Sequence, residues 1–335
     1  MSADALPPLH DVLATARVVA LPLVTRFRGI DVREAVLVEG PEGWTEFAPF
    51  AEYGDEEAST WLAAAIDFGW HAPPAPRRDR IRVNATVPAV DADAVAAVLD
   101  RFPGCRTAKV KVAAPDGTLA QDVARVGAVR RAMGPEGRIR IDANGGWNLD
   151  QAEHAIHELA PFDLEYVEQP CPTVDELAEI RDRTKYMGIP IAADESVRRA
   201  HDPLAVAEAG AADLLVVKAA PLGGIRRALD VVGRAGLPIV VSSALDTSVG
   251  LAMGAHLAAA VPDLDYDCGL GTASLLAADV TRDPLVPADG SIAVRRVEPD
   301  AALLDRHAAD EERTAWWLAR LERCHDLLAR ETPSS

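Results

Sequence analysis

The 335-residue chain contains only four cysteines, Cys105, Cys171, Cys268 and Cys324, and no two of them lie close together. Without a CxxC pair there is no zinc-knuckle spacing, and four reduced thiols in a cytoplasmic protein are expected. Long apolar runs are also missing. Val18–Val24 is too short to span a bilayer and contains Pro22, while Asp4 and Asp11 upstream of it do not fit a signal peptide. No cluster of Lys and Arg stands out, and the formal net charge is −18, which argues against nucleic acid and anionic membrane as partners. An anionic substrate would then have to be captured by local cations. Aromatic residues make up only 5% of the chain, so the core must be built from the abundant alanine and valine.

The first 70 residues differ in texture from the rest. Val18–Val24 and Val32–Val38 read as strands, the second ending in the turn at Gly40–Gly43, and a helical pattern runs from about Glu56 to Phe68. Pro73, Pro74 and Pro76 stiffen the connection that follows and mark a domain boundary.

Beyond it, short β-branched runs alternate with alanine-rich helical segments. Strands are expected to begin near Ile81, Thr107, Arg138, Asp163, Pro190, Asp213, Pro238 and Asp265. Helices are expected at Asp122–Ala132, Leu149–Ala160, Val174–Arg183, Pro203–Ala209 and Gly224–Ala235. Eight such units imply right-handed crossovers and a closed (β/α)₈ barrel. An open doubly wound sheet would normally carry a glycine-rich phosphate loop after its first strand. Here Pro88-Ala89-Val90-Asp91 follows instead, so the barrel is preferred. The tail reads as a turn at Ala288–Gly290, a short strand, and one long helix from about Asp300 to Arg330 packing back on the amino-terminal segment. The expected division is an α+β cap in residues 1–78, a catalytic barrel in 79–284, and a carboxyl-terminal segment, 285–335, packing on the cap.

Reactive residues of such a barrel sit at the carboxyl ends of its strands. The second strand ends around Lys109 and Lys111, the third at Asp142 followed by Asn144, and the fourth at Glu168. The fifth ends at Asp194, the sixth at Lys218, and the seventh at Ser242. Converging carboxylates raise one another's pKa unless a cation lies between them, and three hard oxygen donors suit Mg²⁺ or Mn²⁺ better than zinc. Strand parity turns Lys109 and Lys111 to one face, with Val110 and Val112 on the other. Placing the valines against the helices leaves both lysines inside, where burial and a cationic neighbour can make an amine a usable base. Arg140 shares the inward parity below Asp142. Lys218, four strands around from Lys111, approaches from the opposite side of the barrel. Gly223 and Gly224 open a helix after the sixth strand, an arrangement that favours anions. His154, His157, His201 and His256 fall away from the strand ends and read as structural or exposed.

The segments TAKVKV, IDANGGW, YVEQP, IAADES and LLVVKAAPLGGI, in that order and spacing, resemble the enolase superfamily in its branch with two catalytic lysines. The amino-terminal RFRGIDVREAVLVEGPEGWTEFAPFAEYG and the later SSALDTSVG look most like the o-succinylbenzoate synthases of the actinobacterial type. This resemblance implies dehydration of 2-succinyl-6-hydroxy-2,4-cyclohexadiene-1-carboxylate to o-succinylbenzoate in menaquinone synthesis. It implies Asp142, Glu168 and Asp194 as Mg²⁺ ligands stabilising an enediolate, Lys111 as the α-proton base that also protonates the departing hydroxyl, and Lys218 as an electrostatic partner. Lys109, Arg140, Asn144, Ser242, Gly223 and Gly224 fall to supporting or substrate-contacting places. Which amino-terminal residues close over the substrate is left open by the sequence, with Arg28–Gly29 and Glu46–Phe47 the candidates by that resemblance. The histidine–aspartate dyad of the mandelate-racemase branch is missing after the seventh strand. N-succinylamino acid racemisation or dipeptide epimerisation would use the same two lysines and stays open as the alternative. The partner expected is a small carboxylate, with the protein a monomer or a homo-oligomer.

Overall fold

The computed structural model describes residues 6–198 and 203–331. A short helix α1 (Leu9–Ala14) precedes three strands, β1 (Arg17–Phe27), β2 (Ile30–Gly40) and β3 (Gly43–Phe47), paired antiparallel in that order. The third strand follows directly from the Gly40–Gly43 turn, where the sequence reading stopped. Helix α2 (Asp55–Trp70) carries three acidic residues in its first turn, favourable against the positive end of the helix dipole.

The barrel begins with β4 (Arg80–Arg82) and β5 (Ala85–Val87), then α3 (Val95–Leu99), β6 (Thr107–Lys111), α4 (Leu119–Met133), β7 (Arg138–Asp142) and α5 (Leu149–Leu159). It continues through β8 (Leu164–Glu168), α6 (Val174–Thr184), β9 (Ile191–Ala193), α7 (Glu195–Arg198), α8 (Ala205–Glu208), β10 (Leu214–Val217), α9 (Ile225–Ala235), β11 (Ile239–Val241) and α10 (Ser248–Ala260). Strands β5 to β11 form one parallel sheet in sequential order. Helices α4, α5 and α6 each start at a reciprocal capping box, Thr118 with Gln121, Asn148 with Gln151 and Thr173 with Glu176. These boxes satisfy backbone N–H groups that would otherwise be orphaned at the helix starts.

The architecture agrees with an eightfold barrel under a cap, but three expected elements differ. Seven strands, not eight, make the continuous ladder. The eighth position near Asp265 closes the ring through single bridges, Val83 to Cys268 and Ser242 to Gly269, and the Asp267 carboxylate there is held by Thr107, Arg138 and Arg82. The helix expected at Pro203–Ala209 is reduced to the single turn of α8. The long terminal helix is two, α11 (Ala301–Arg306) and α12 (Glu311–Glu331), after β12 (Ser291–Ala293). The break at 307–309 has a tertiary cause: His307 accepts from Ala20 N–H and Ala309 donates to Val18, so this stretch pairs with the edge of β1.

Trp317, Leu321 and Cys324 of α12 are buried with Phe47, Trp61 and Leu62 in a core between that helix and the amino-terminal elements. Glu34 on β2 reinforces this packing by accepting from Arg313 Nε and Trp317 Nε1 at 2.8 and 3.0 Å. Strand β12 pairs with β4 at the base of the barrel. The four cysteines are unpaired. No helix among the described residues is long and apolar enough to cross a membrane.

Candidate active site

Lys109 and Lys111 on β6, Asn144 after β7, Asp194 after β9, Lys218 after β10 and Ser242 after β11 line one cavity, roofed by Phe27, Arg28, Phe50 and Trp61 from the amino-terminal elements, while Asp142 and Glu168 are fully buried beside the lysines. Lys111 stands in register beside Asp142, and Asp142 beside Glu168, so the neighbouring strand ends bring these charges together directly.

Lys109 Nζ lies deepest, 2.8 Å from Glu168 Oε1 and 3.0 Å from Asp142 Oδ2. Lys111 Nζ sits nearer the rim, 2.5 Å from Asp142 Oδ2 and 2.8 Å from Asn144 Oδ1. Asn144, in the left-handed region with φ of 49°, donates its backbone N–H to Asp142 Oδ1 at 3.0 Å and its amide to Glu195 at 3.1 Å. Across the cavity Lys218 Nζ is 2.5 Å from Asp194 Oδ2. Lysines therefore approach the carboxylates from both sides.

The electrostatics of the carboxylates are uneven. Burial opposes the charge of Asp142, yet Lys111 and Lys109 outweigh it and hold this carboxyl well below its ordinary range. Burial pushes Glu168 up to about 8, and Asp142 and Asp194 add to that against the pull of Lys109. Lys109 is pushed well above the usual lysine range, because Glu168 and Asp142 overcome the effect of burial. It is therefore a fixed ammonium near neutrality, and not an amine poised as a base.

These donors suit a hard divalent cation. Three carboxylates end adjacent strands, all essentially buried, and Glu168 Oε2 is a buried oxygen with no hydrogen-bond partner. Among the described residues no three acidic, histidine or cysteine side chains stand together in metal-holding geometry, since the carboxylates turn their oxygens to the lysines.

Three other expected residues lie outside the cavity lining. Arg140 is fully buried in the barrel floor, where it donates to Asn84, Glu165 and the Asp267 carbonyl and lies 4.8 Å from the Tyr166 ring centroid. Its hydrogen bonds go to that floor and not to the carboxylates above. Gly223 and Gly224, both at positive φ, begin α9 outside the cavity wall, and a Cβ on Gly224 would meet the carboxylate of Asp67. The protein's own acid therefore sits where an anionic ligand was expected. Ser242 does line the cavity, with Ser243 bonded to the Gly269 carbonyl and to Thr272 at 2.8 Å.

Sequence reasoning missed Gln169. Its Oε1 accepts from the backbone N–H groups of Asp194 and Ser196 at 3.0 and 3.2 Å, and its Nε2 donates to Ser196 Oγ at 2.7 Å. One amide thus fixes the segment carrying Asp194. The signal was its place beside Glu168 in YVEQP, and its φ of 40° could not be read from the sequence. Of the histidines, His154 and His157 lie on α5, with His157 bonded to Tyr186, and His256 packs on Phe68 from α10. His201 falls outside the described residues.

Residues 81–301 match the enolase C-terminal domain-like family and residues 18–69 the enolase N-terminal domain-like family. An o-succinylbenzoate synthase of Mycobacterium tuberculosis is 53% identical over 324 residues, covering 96% of this chain and 97% of the relative. One from Mycolicibacterium smegmatis is 52% identical over 97% of this chain and 99% of its own. In fold, the chain is similar to the 2-chloromuconate cycloisomerase of Rhodococcus opacus, with a TM-score of 0.76 at 24% identity over 88% of this chain and 98% of the other. The muconate lactonizing enzyme of Pseudomonas fluorescens gives 0.75 at 21% over the same shares. On sequence along nearly its whole length, and on fold, the chain belongs to the o-succinylbenzoate synthase family within the enolase superfamily.

Proposed function

We propose that this lyase dehydrates 2-succinyl-6-hydroxy-2,4-cyclohexadiene-1-carboxylate to o-succinylbenzoate in menaquinone synthesis. The catalytic unit is the barrel, residues 79–284, under a cap formed by the amino-terminal elements with helix α12 packed on them, while β12 of the carboxyl-terminal segment pairs at the barrel base. The observation that carries the reading is the identity of 53% to o-succinylbenzoate synthases over 96% of the chain. The cavity's chemistry supports it, because an acidic protein with net charge −18 sets three of its four lysines, Lys109, Lys111 and Lys218, into this pocket.

Lys111 takes the proton on the ring carbon next to the carboxylate. Asp142 and Asn144 hold its Nζ at the rim, so the amine has a fixed direction of approach. The electron pair of the broken C–H bond becomes a ring C=C bond as the C–O bond to the hydroxyl breaks. The proton returns from Lys111 to the departing oxygen, and water leaves. Lys218, facing the ring from the other side, lowers the energy of the charge that builds up during proton removal. Asp142, Glu168 and Asp194 would hold Mg²⁺, or Mn²⁺ in its place, which when bound supplies positive charge next to the substrate carboxylate. Phe27, Phe50 and Trp61 exclude water from above.

A direct ultraviolet assay with the cyclohexadiene substrate, run beside a panel of N-succinyl amino acids and dipeptides, tests the assignment. Fast aromatisation with slow or absent epimerisation is expected. Epimerisation at rates rivalling dehydration would move the protein to the racemase reading.

A further inference from the structure

The cavity wall nearest Lys218 continues into the segment 243–247, between β11 and α10. Ser243, Ala244 and Leu245 of this segment face the site. Leu245 has φ of 64°, a backbone state that side-chain-bearing residues adopt only where their surroundings over-determine it.

The determinants come from the other half of the molecule. Arg33 on β2, only 2% exposed, donates Nε to the Leu245 carbonyl at 3.1 Å and Nη2 to the Ala48 carbonyl. Glu46 on β3, 5% exposed, accepts through Oε2 from Thr247 N–H at 3.1 Å and from the Thr247 hydroxyl at 2.5 Å. That hydroxyl also accepts from Val249 N–H and so caps α10. Gly250, one turn on, is needed for this approach, since a Cβ there would lie 2.5 Å from Glu46 Oε1. Two buried polar side chains of the cap, Arg33 and Glu46, therefore grip the residues on either side of Asp246. A second cavity, lined by Glu46, Asp246, Trp61 and Lys218, runs directly behind this segment.

We propose that Arg33 and Glu46 are positioning residues: a buried latch through which the cap holds the 243–247 wall in its substrate-binding shape. Neither side chain reaches the reacting atoms. Their effect passes through Leu245 and Thr247, which ties the roof made by Phe27, Arg28, Phe50 and Trp61 to the wall made by the barrel. The consequence for the substrate rests on the lyase reading above, whereas the consequence for the loop does not.

The test uses the full chain with Glu46→Gln, Glu46→Ala and Thr247→Val. Glutamine keeps an acceptor oxygen in place, whereas alanine leaves the buried Thr247 N–H unsatisfied. Amide hydrogen exchange across residues 243–250 should speed up by about tenfold or more in Glu46→Ala, as expected for leaving a buried N–H without its acceptor. It should change by less than about threefold in Glu46→Gln. With the cyclohexadiene substrate, Glu46→Ala should raise KM, and the Kd of o-succinylbenzoate measured by calorimetry, by about tenfold while kcat falls far less. Thr247→Val should weaken product binding in the same direction, and should be less than additive with Glu46→Ala, because the hydroxyl–Glu46 bond is lost in both and only the cap to Val249 is lost in addition. Unchanged exchange of residues 243–250 in Glu46→Ala would overturn the latch, as would a lowered melting temperature with KM and product Kd unaltered. Loosened exchange in a protein whose wild type fails to dehydrate the substrate would sustain the latch and remove the substrate assignment alone.

Discussion

Replacing Lys111 with alanine separates the chemistry of the site from its architecture. The Lys111 ammonium lies 2.5 Å from Asp142, so its loss removes one counter-charge from a fully buried carboxylate. Stranding a buried charge costs about 3–5 kcal/mol. Lys109 remains 3.0 Å from the same oxygen, which keeps the stability loss below that range. Turnover has no such reserve. A proton carrier is worth about 10²–10⁴ in rate, and each tenfold corresponds to about 1.4 kcal/mol of barrier. Lys111→Ala should therefore lose at least about a hundredfold in kcat while retaining its circular dichroism spectrum and its affinity for o-succinylbenzoate. The assay follows ultraviolet conversion of the cyclohexadiene substrate, with the melting curve recorded on the same preparation. A folded mutant keeping more than about a tenth of wild-type kcat would refute the base assignment, because the remaining groups cannot replace a proton carrier so cheaply.

Asp194→Asn should raise the Mg²⁺ concentration that gives half-maximal activity, with Asp142→Asn and Glu168→Gln behaving alike, and full activity of EDTA-treated wild type would remove the metal site. Lys218→Arg should keep measurable dehydration, since a cation beside the ring suffices, but should lose solvent deuterium exchange at the α-carbon of N-succinyl amino acids, where arginine cannot act as a base. Glu34 is raised by partial burial but lowered more by the hydrogen bonds from Arg313 and Trp317, leaving it net below its ordinary value. Its stabilisation is then present above the unfolded carboxyl pKa and is lost as pH falls through the lower folded value. Glu34→Gln should accordingly lower the melting temperature at pH 7, and the gap to wild type should close on acidification below about pH 4.

The fold was legible wherever local pattern and tertiary pairing agree. The spacing of β-branched runs located β6 to β11 because each parallel strand is buried on both faces and reads as a short apolar run. It failed where a distant contact decides. The periodicity over 300–330 is helical throughout, but the edge of β1 recruits His307–Ala309, and no helical pattern records that competition. The eighth strand, expected near Asp265, is shorter than its pattern suggests: single bridges at Cys268 and Gly269 close the ring there.

The site was legible in its residues more than in their pairings. Parity placed Lys109 and Lys111 on one face of one strand, and the structure puts both in the cavity. Parity could not show that two residues of rise along β6 give the lysines different electrostatic surroundings. Lys109 lies between two buried carboxylates, which hold it protonated well above the ordinary lysine range. Lys111 stands one step nearer the rim, shared between a single carboxylate and the neutral amide oxygen of Asn144. Depth along the strand, more than residue type, is thus what gives the two lysines different neighbours in this pocket.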